Sequence, residues 1–115
     1  MFRFETLEIW HLAVQYCQQV FVVVDDLPQK VQYSLGSQLR SAVLSISNNI
    51  AEGSGSDSKA EFKSFLNYSI RSTFEVVSML IIAKNNQYLD DKKFQELYAQ
   101  GELLVKKISA FRKSI

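Results

Sequence analysis

The chain has 115 residues, of which 47% are hydrophobic and 22% charged, and its formal net charge is +1. This length accommodates one domain, 1–115, around one core, and the composition is typical of a globular protein rather than a disordered segment. The near-neutral balance excludes the strongly basic character of a dedicated nucleic-acid binder. The halves nevertheless differ, since residues 1–58 carry three basic and six acidic side chains and residues 59–115 carry ten and six.

Helix breakers and cysteines are rare in the chain. It contains one proline, four glycines and one cysteine. So few breakers favour long helices over a fold with many turns, and a single cysteine excludes an internal disulfide. The longest apolar runs are too short to span a bilayer, and no segment has the pattern of a signal peptide. We therefore expect a soluble cytoplasmic protein with no membrane partner.

The first predicted helix starts near Thr6, which is the expected N-cap, and ends before Pro28, because the residue before a proline disfavours the α conformation. Two apolar rows run along this helix in steps of three and four residues. The main core row is interpreted as Leu7, Trp10, Val14, Cys17, Phe21 and Val24, and the second row as Ile9, Ala13, Tyr16, Val20 and Val23. Two rows predict that this helix is covered both by its own bundle and by another subunit.

The second predicted helix, 33–53, has the most informative pattern. Its apolar stripe consists of Leu35, Leu39, Ala42, Ile46, Ile50 and Gly53. An uncharged polar row that includes Gln38, Ser45 and Asn49 runs beside the stripe. Small and amide side chains next to a core stripe allow a neighbouring helix to approach closely and to hydrogen-bond.

Two further helices follow a flexible connection at 53–57. Ser58 and Glu61 form a predicted capping box at the start of the third helix, which runs to about Asn85, and Asp90 is the predicted N-cap of the fourth. The buried stripe of the third helix is predicted as Phe62, Leu66, Ile70 with Ser69, Thr73, Val77, Leu80 and Ala83, and that of the fourth as Phe94, Leu97, Gly101, Leu104, Ile108, Phe111 and Ile115. Short connections imply antiparallel neighbours, so the sequence predicts an all-α, antiparallel, up-down-up-down four-helix bundle.

The sequence offers little chemistry for catalysis. His11 is the only histidine and lies off the main stripe, and Cys17 lies on that stripe, where a buried and inert thiol is expected. No phosphate-binding glycine loop, zinc motif or Glu-x-x-His pair of the kind found in metal-binding bundles occurs. We expect no enzyme, no metal, no cofactor and no small-molecule substrate.

Polar residues beside the predicted core form a candidate network. Its members are Gln38, Arg40, Asn49, Glu52, Glu61, Ser72 and Glu75. If the second and third helices form a hairpin that turns at Gly55, Arg40 is expected to pair with Glu75, Asn49 to bond across a helix interface, and Ser45 to lie near Leu66. One interpretation is a satisfied network that fixes helix register, and the other is a polar face used by a partner or ligand.

Basic residues flank the apolar stripe of the fourth helix and the start of the third. They are Lys59, Lys63, Lys92, Lys93, Lys106, Lys107, Arg112 and Lys113. One interpretation is a solvated helix face. The other is phosphate binding that is weak in one subunit and additive over a ring of subunits.

Several motifs, taken together, resemble a known family. They are Phe4-Glu5-x-Leu7-x-x-Trp10, Tyr33-x-Leu35-x-x-Gln38-Leu39-Arg40, Ser45-Ile46-x-x-Asn49-Ile50-Ala51-Glu52-Gly53, and Glu61-Phe62-x-x-Phe65-Leu66-x-x-Ser69-x-x-Ser72-x-x-Glu75. This order resembles the bundle proteins named after the intervening sequences of bacterial 23S ribosomal RNA genes, and the likeness covers nearly the whole chain. The resemblance implies a homopentameric ring, and relatives that accompany diversity-generating retroelements engage RNA and a reverse transcriptase.

Two departures from the family pattern bear on function. Ser47 stands where many relatives have proline, which predicts a straighter helix, and 54–57 lacks an arginine that many relatives carry. The resulting expectation is a non-enzymatic, homopentameric scaffold that binds RNA or a nucleoprotein partner. The alternative is a protein-interaction module without nucleic-acid affinity.

Overall fold

The computed structural model describes all residues, 1–115, and consists of four long helices joined by short connections. The helices are α1 (Glu8–Asp25), α2 (Ser37–Ser54), α3 (Lys59–Asn85) and α4 (Asp91–Ser114). Each packs against the helix that precedes it in the chain, and α4 closes the bundle against α1. The bundle measures 44 × 24 × 22 Å. The predicted all-α, up-down-up-down architecture is confirmed.

The start of α1 differs from the prediction. A single 3-10 turn at Arg3–Thr6 precedes the helix, and Leu7 occupies the N-cap position without a side-chain cap. The Thr6 hydroxyl donates to the carbonyl of Arg3 at 2.7 Å. Because this hydroxyl bonds within the preceding turn, Thr6 is not the N-cap, and that prediction was wrong.

The connection between α1 and α2 is held by one amide side chain. The Gln32 Nε2 group donates to the Val24 carbonyl at 2.8 Å and to the Leu27 carbonyl at 3.0 Å, which satisfies backbone acceptors at the end of α1. Gln32 also begins a π-helical turn at Gln32–Gly36 that leads directly into α2. The predicted helix 33–53 therefore corresponds to this turn plus α2.

The predicted caps of α3 and α4 are present. Ser58 Oγ accepts from the Glu61 backbone N–H at 3.2 Å, and Asp90 Oδ1 accepts from the Lys93 backbone N–H at 2.8 Å. The Glu61 side chain makes no return bond to Ser58, so only one half of the predicted capping box forms. Both caps satisfy a free backbone donor in the first turn of a long helix.

The predicted core of α1 needs correction, whereas the stripes of the other helices need smaller changes. The row Ile9, Ala13, Tyr16, Val20 and Val23 is buried together with Cys17 and Val24, and the row assigned as the main one is half-buried at Leu7, Trp10, Val14 and Phe21. On α2, Leu35 is half-buried while the rest of the predicted stripe is buried. On α3, Val76 and Met79 are buried, whereas Ile70 and Val77, which were expected to be buried, are half-buried. On α4 the predicted stripe is buried through Ile108.

Helices α2 and α3 form the most extensive helix pair in the bundle. Gly53 allows this approach at one end: a Cβ atom there would lie 2.8 Å from Phe62 Cδ1 and 2.8 Å from Phe65 Cβ. Both distances are shorter than atoms tolerate. The glycine on the predicted stripe is therefore a packing requirement for α3.

Candidate functional site

A chain of hydroxyl and amide groups joins α2 to α3. Ser69 Oγ donates to the Ile46 carbonyl at 2.8 Å, and Ser72 Oγ donates to Ser45 Oγ at 2.8 Å. Asn49 Nδ2 donates to the Ser45 carbonyl at 2.7 Å and lies 2.9 Å from Ser45 Oγ. These groups satisfy one another within and between two helices, which fits a network that fixes register.

The network differs from the predicted one in its members. Asn49 bonds within α2, and the serines make the bonds between helices, so the predicted cross-interface bond of Asn49 was wrong. Ser45 meets Ser72 rather than Leu66. Ser69 was expected only as part of the core, but its hydroxyl is completely buried and links the two helices.

Arg40 binds on the opposite flank of α2 from the one predicted. Its Nη2 atom lies 2.8 Å from Asp25 Oδ1, and its guanidinium group lies 6.0 Å from the ring centre of Phe21. Both partners belong to α1, so the predicted Arg40–Glu75 pair was wrong. The remaining network candidates, Gln38, Glu52, Glu61 and Glu75, are exposed, and their side chains make no hydrogen bond.

The eight basic candidates divide between the two ends of the bundle. Lys92 and Lys93 lie in the first turn of α4, and Lys106, Lys107, Arg112 and Lys113 lie in its second half, about 20–30 Å away along the helix axis at 1.5 Å per residue. The second half of α4 packs beside the start of α3, where Lys59 and Lys63 lie, since the rings of Phe62 and Phe111 are 5.7 Å apart. We call these six residues the basic end.

Ion pairs and hydrogen bonds within the chain already engage part of this charge. Lys107 Nζ lies 3.1 Å from Glu8 Oε1, Lys93 Nζ lies 3.8 Å from Glu96 Oε2, and the Arg112 guanidinium donates to Asn67 Oδ1. The other five basic candidates form no ion pair in the bundle, and four of them belong to the basic end: Lys59, Lys63, Lys106 and Lys113. These four ammonium groups are available to anions.

The titratable residues singled out for chemistry do not come together. His11 is exposed, and its Nε2 atom lies 2.7 Å from the Glu5 carbonyl oxygen. Cys17 is 7% exposed, and burial raises the pKa of its thiol, which leaves it a poor nucleophile. No three histidine, cysteine, aspartate or glutamate side chains are grouped as metal ligands.

An apolar groove between α3 and α4 was not predicted from the sequence. It has a volume of about 500 Å³ and is lined chiefly by Phe74, Val77, Ile81, Tyr98, Gly101 and Val105. Phe74 is 64% exposed, although burying an aromatic ring of this size removes a large apolar area from water. The seven-residue spacing of Phe74 and Ile81 beside the buried stripe was the available signal. We call this feature the α3–α4 groove.

The family model of 23S rRNA-intervening sequence proteins matches residues 5–110. The chain belongs to this family. The match takes in all of α1, α2 and α3 and most of α4. The resemblance inferred from the Asn49–Gly53 motif and its flanking motifs is thereby confirmed, and the intervening-sequence protein fold is the bundle described above.

A solved structure has the same architecture as this intervening-sequence protein. It is a protein of unknown function from the S23 ribosomal protein family of Bacteroides thetaiotaomicron, with a TM-score of 0.85 and 16% sequence identity, and the alignment covers 91% of this chain and 98% of that one. At this identity the likeness establishes the fold alone. No curated protein is significantly similar to the chain.

Neither the description of the intervening-sequence protein family nor that of the solved relative names a catalytic activity. None of the four helices combines the length and the hydrophobicity that a membrane span requires.

Proposed function

We propose that this intervening-sequence protein is a non-enzymatic cytoplasmic scaffold that forms a homopentamer and binds RNA or a nucleoprotein partner through its basic end. The observation that carries the RNA proposal is the grouping of four unpaired lysines, Lys59, Lys63, Lys106 and Lys113, where the start of α3 meets the end of α4. Phosphate oxygens are the ligands that such exposed ammonium groups bind in proteins that track a nucleic-acid backbone.

Assembly into a ring allows the few free charges of each protomer to suffice for RNA binding. One protomer offers about four free ammonium groups, and each bound phosphate contributes modestly to affinity at physiological salt. Identical basic ends repeated in a ring act on one polyanion with a high effective concentration, so their contributions combine. The scaffold therefore requires no strongly basic composition.

The test is binding of a structured ribosomal RNA fragment to the wild-type protein over a salt series. A linear fall of log affinity with log salt concentration is expected, because bound phosphates release counterions. Lys106→Ala with Lys113→Ala is expected to reduce the slope by about one for each phosphate that the variant no longer binds. Lys92→Ala is the matched control, since this unpaired lysine lies on the same helix at the other end.

A second candidate function is a protein-interaction module without nucleic-acid affinity. The observation that favours it is the exposed α3–α4 groove, together with acidic residues such as Glu8, Asp57 and Glu61 among the basic ones. Absence of RNA binding even at low salt would support this alternative and contradict the leading proposal. An equal effect of Lys92→Ala would show that the basic end is not the binding surface.

A further inference from the structure

The α3–α4 groove leaves several apolar side chains in contact with water. Phe74 is 64%, Ile81 39% and Tyr98 37% exposed, while Val77 and Gly101 form the floor between them. Contiguous exposed apolar side chains that are rimmed by polar residues are typical of an interaction site. The polar side chains at its margin include one acid and one base, Glu102 and Lys106. The groove therefore has the composition of an interface centre with a polar rim.

The charge of the chain is divided between opposite sides of the bundle. The helices follow one another around the bundle in the order α1, α2, α3, α4, so the side formed by α1 and α2 lies opposite the groove. Residues 1–58, which supply the α1–α2 side, have a net charge of −3, and residues 59–115, which supply the groove side, have a net charge of +4. Each copy of the protein thus presents one acidic and one basic side.

The α1–α2 side also exposes apolar residues. Val22 of α1 is 57% exposed and Leu44 of α2 is 41% exposed. Each points away from the core, because Val22 lies two residues from both Val20 and Val24, and Leu44 lies two residues from both Ala42 and Ile46, all of which are buried. These residues provide apolar contacts for a groove that belongs to another molecule.

We propose that the α3–α4 groove binds the α1–α2 side of a second copy of this chain, in a head-to-tail contact. Packing two grooves against each other would bring together two sides of net positive charge, whereas groove against α1–α2 side brings together opposite charges. A contact between opposite sides of one molecule repeats from copy to copy and closes into a ring when the rotation allows it. This inference rests on the proposed self-assembly and names the surfaces that meet.

The test uses two variants that each disable one surface. Phe74→Glu with Ile81→Glu places carboxylates in the groove, and Val22→Glu with Leu44→Glu places them on the α1–α2 side. All four positions are exposed, so both variants are expected to fold, which circular dichroism and thermal melting check. Tyr68→Glu is the matched control: this α3 side chain is 48% exposed but does not line the groove, and the variant should keep the wild-type mass.

Light scattering then distinguishes the arrangements. We expect a wild-type mass that is a multiple of the 13.2 kDa protomer, a monomer for each double variant, and a twofold protomer mass for their equimolar mixture. Only the intact groove of one variant and the intact α1–α2 side of the other can meet in that mixture. Glutamates face each other at the remaining contact and prevent further growth.

Other outcomes overturn the proposal. If the groove packs against itself, the Val22→Glu, Leu44→Glu variant remains oligomeric alone. If the two surfaces meet different partners, the mixture stays monomeric. A monomeric wild type would contradict the proposed contact and would indicate that the groove binds a different protein. RNA binding measured on that same monomer would still test the nucleic-acid proposal separately.

Discussion

Two glycines only two positions apart have opposite roles at the end of α2. Gly53 faces α3, and a Cβ atom there would lie 2.8 Å from Phe65 Cβ, an atom that cannot move without moving the helix. Gly55 faces open space except for the Glu52 carbonyl oxygen at 3.5 Å, and its φ angle of −87° suits any residue. The first glycine is required by packing and the second is not.

We therefore expect Gly53→Ala to destabilise the fold by about 1–3 kcal/mol, because overpacking forces α2 and α3 apart. Gly55→Ala should be neutral or stabilising by up to about 1 kcal/mol, since alanine reduces the entropy of the unfolded chain. Urea denaturation measures both. Equal free energies of unfolding for the two variants would show that α2 and α3 tolerate a wider separation.

Tyr16 crosses the core of the bundle with an unpartnered hydroxyl group. The residue is 2% exposed, its oxygen has no hydrogen-bond partner, and a Cβ atom at Gly101 would lie 2.9 Å from it. A buried hydroxyl without a partner opposes folding, because it loses its bonds to water. Tyr16→Phe is thus expected to leave stability unchanged or raise it by up to about 1 kcal/mol in urea denaturation at neutral pH.

The same residue predicts a loss of stability at alkaline pH. Burial raises the pKa of the Tyr16 hydroxyl above its ordinary value of 10.0. Above that value the unfolded state releases the proton while the folded state keeps it, so the free energy of unfolding falls as pH rises. Below about pH 10 the phenol keeps its proton in both states, and the stability that is lost at higher pH is fully present.

Urea denaturation from about pH 9 to about pH 11.5 tests this prediction. The wild type should lose stability more steeply than Tyr16→Phe above about pH 10, since only the wild type carries the buried phenol. Cys17, whose thiol pKa is also raised by burial, is present in both proteins, so its effect cancels. Parallel curves would mean that the Tyr16 hydroxyl reaches water in the folded protein.

At the scale of helices, an N-cap could be predicted from the sequence wherever the capping side chain had only one available hydrogen-bond partner. Ser58 and Asp90 bind the backbone donors expected of them, but Thr6 bonds backward to Arg3 instead. A threonine hydroxyl can bond a carbonyl within its own turn as readily as it accepts from the next helix. The local sequence alone does not decide between the two.

This difference gives a prediction for the two hydroxyl residues. Ser58→Ala should cost about 1 kcal/mol, because the Glu61 backbone N–H loses its acceptor at the start of α3. Thr6→Ala should cost clearly less, since no backbone donor of α1 depends on it. Thermal or urea denaturation of both variants compares them, and a larger loss for Thr6→Ala would contradict the assigned start of α1.

The polarity of α4 made its stripe predictable, whereas α1 carries two apolar rows with the same period. Periodicity locates a row but cannot rank two equal rows, and the row predicted to be the main one lies at the margin of the core.

The partner of Arg40 was also not predictable from the pattern used. Facing positions were inferred from the hairpin of α2 and α3 alone, but α2 also borders α1, where Asp25 lies.

A double-mutant cycle distinguishes the observed pair from the predicted one. Arg40→Ala with Asp25→Ala should give a coupling energy of about 0.2–1 kcal/mol that decreases with added salt, because both side chains are solvent-accessible. Arg40→Ala with Glu75→Ala is the control cycle and should give none. A larger coupling to Glu75 would place Arg40 on the other flank of α2 in solution.

At the scale of the whole molecule, assembly and RNA binding should be linked. The Val22→Glu, Leu44→Glu variant retains Lys59, Lys63, Lys106 and Lys113 and adds no carboxylate to the groove that Lys106 borders, but as a monomer it presents only one basic end. We expect its affinity for the ribosomal RNA fragment to fall at least about tenfold, because the gain from binding at several sites at once disappears. Unchanged affinity in a monomeric variant would show that one protomer is a complete RNA-binding unit.

Cys17, the only cysteine in the chain, provides a way to time the opening of the bundle. Its thiol lies on α1 and is buried in the core of the bundle, so an alkylating reagent can reach the sulfur only after that helix separates from its neighbours. The labelling rate at low denaturant would therefore record how often α1 separates from the rest of the bundle, with one chemical event per protomer and no background from other cysteines.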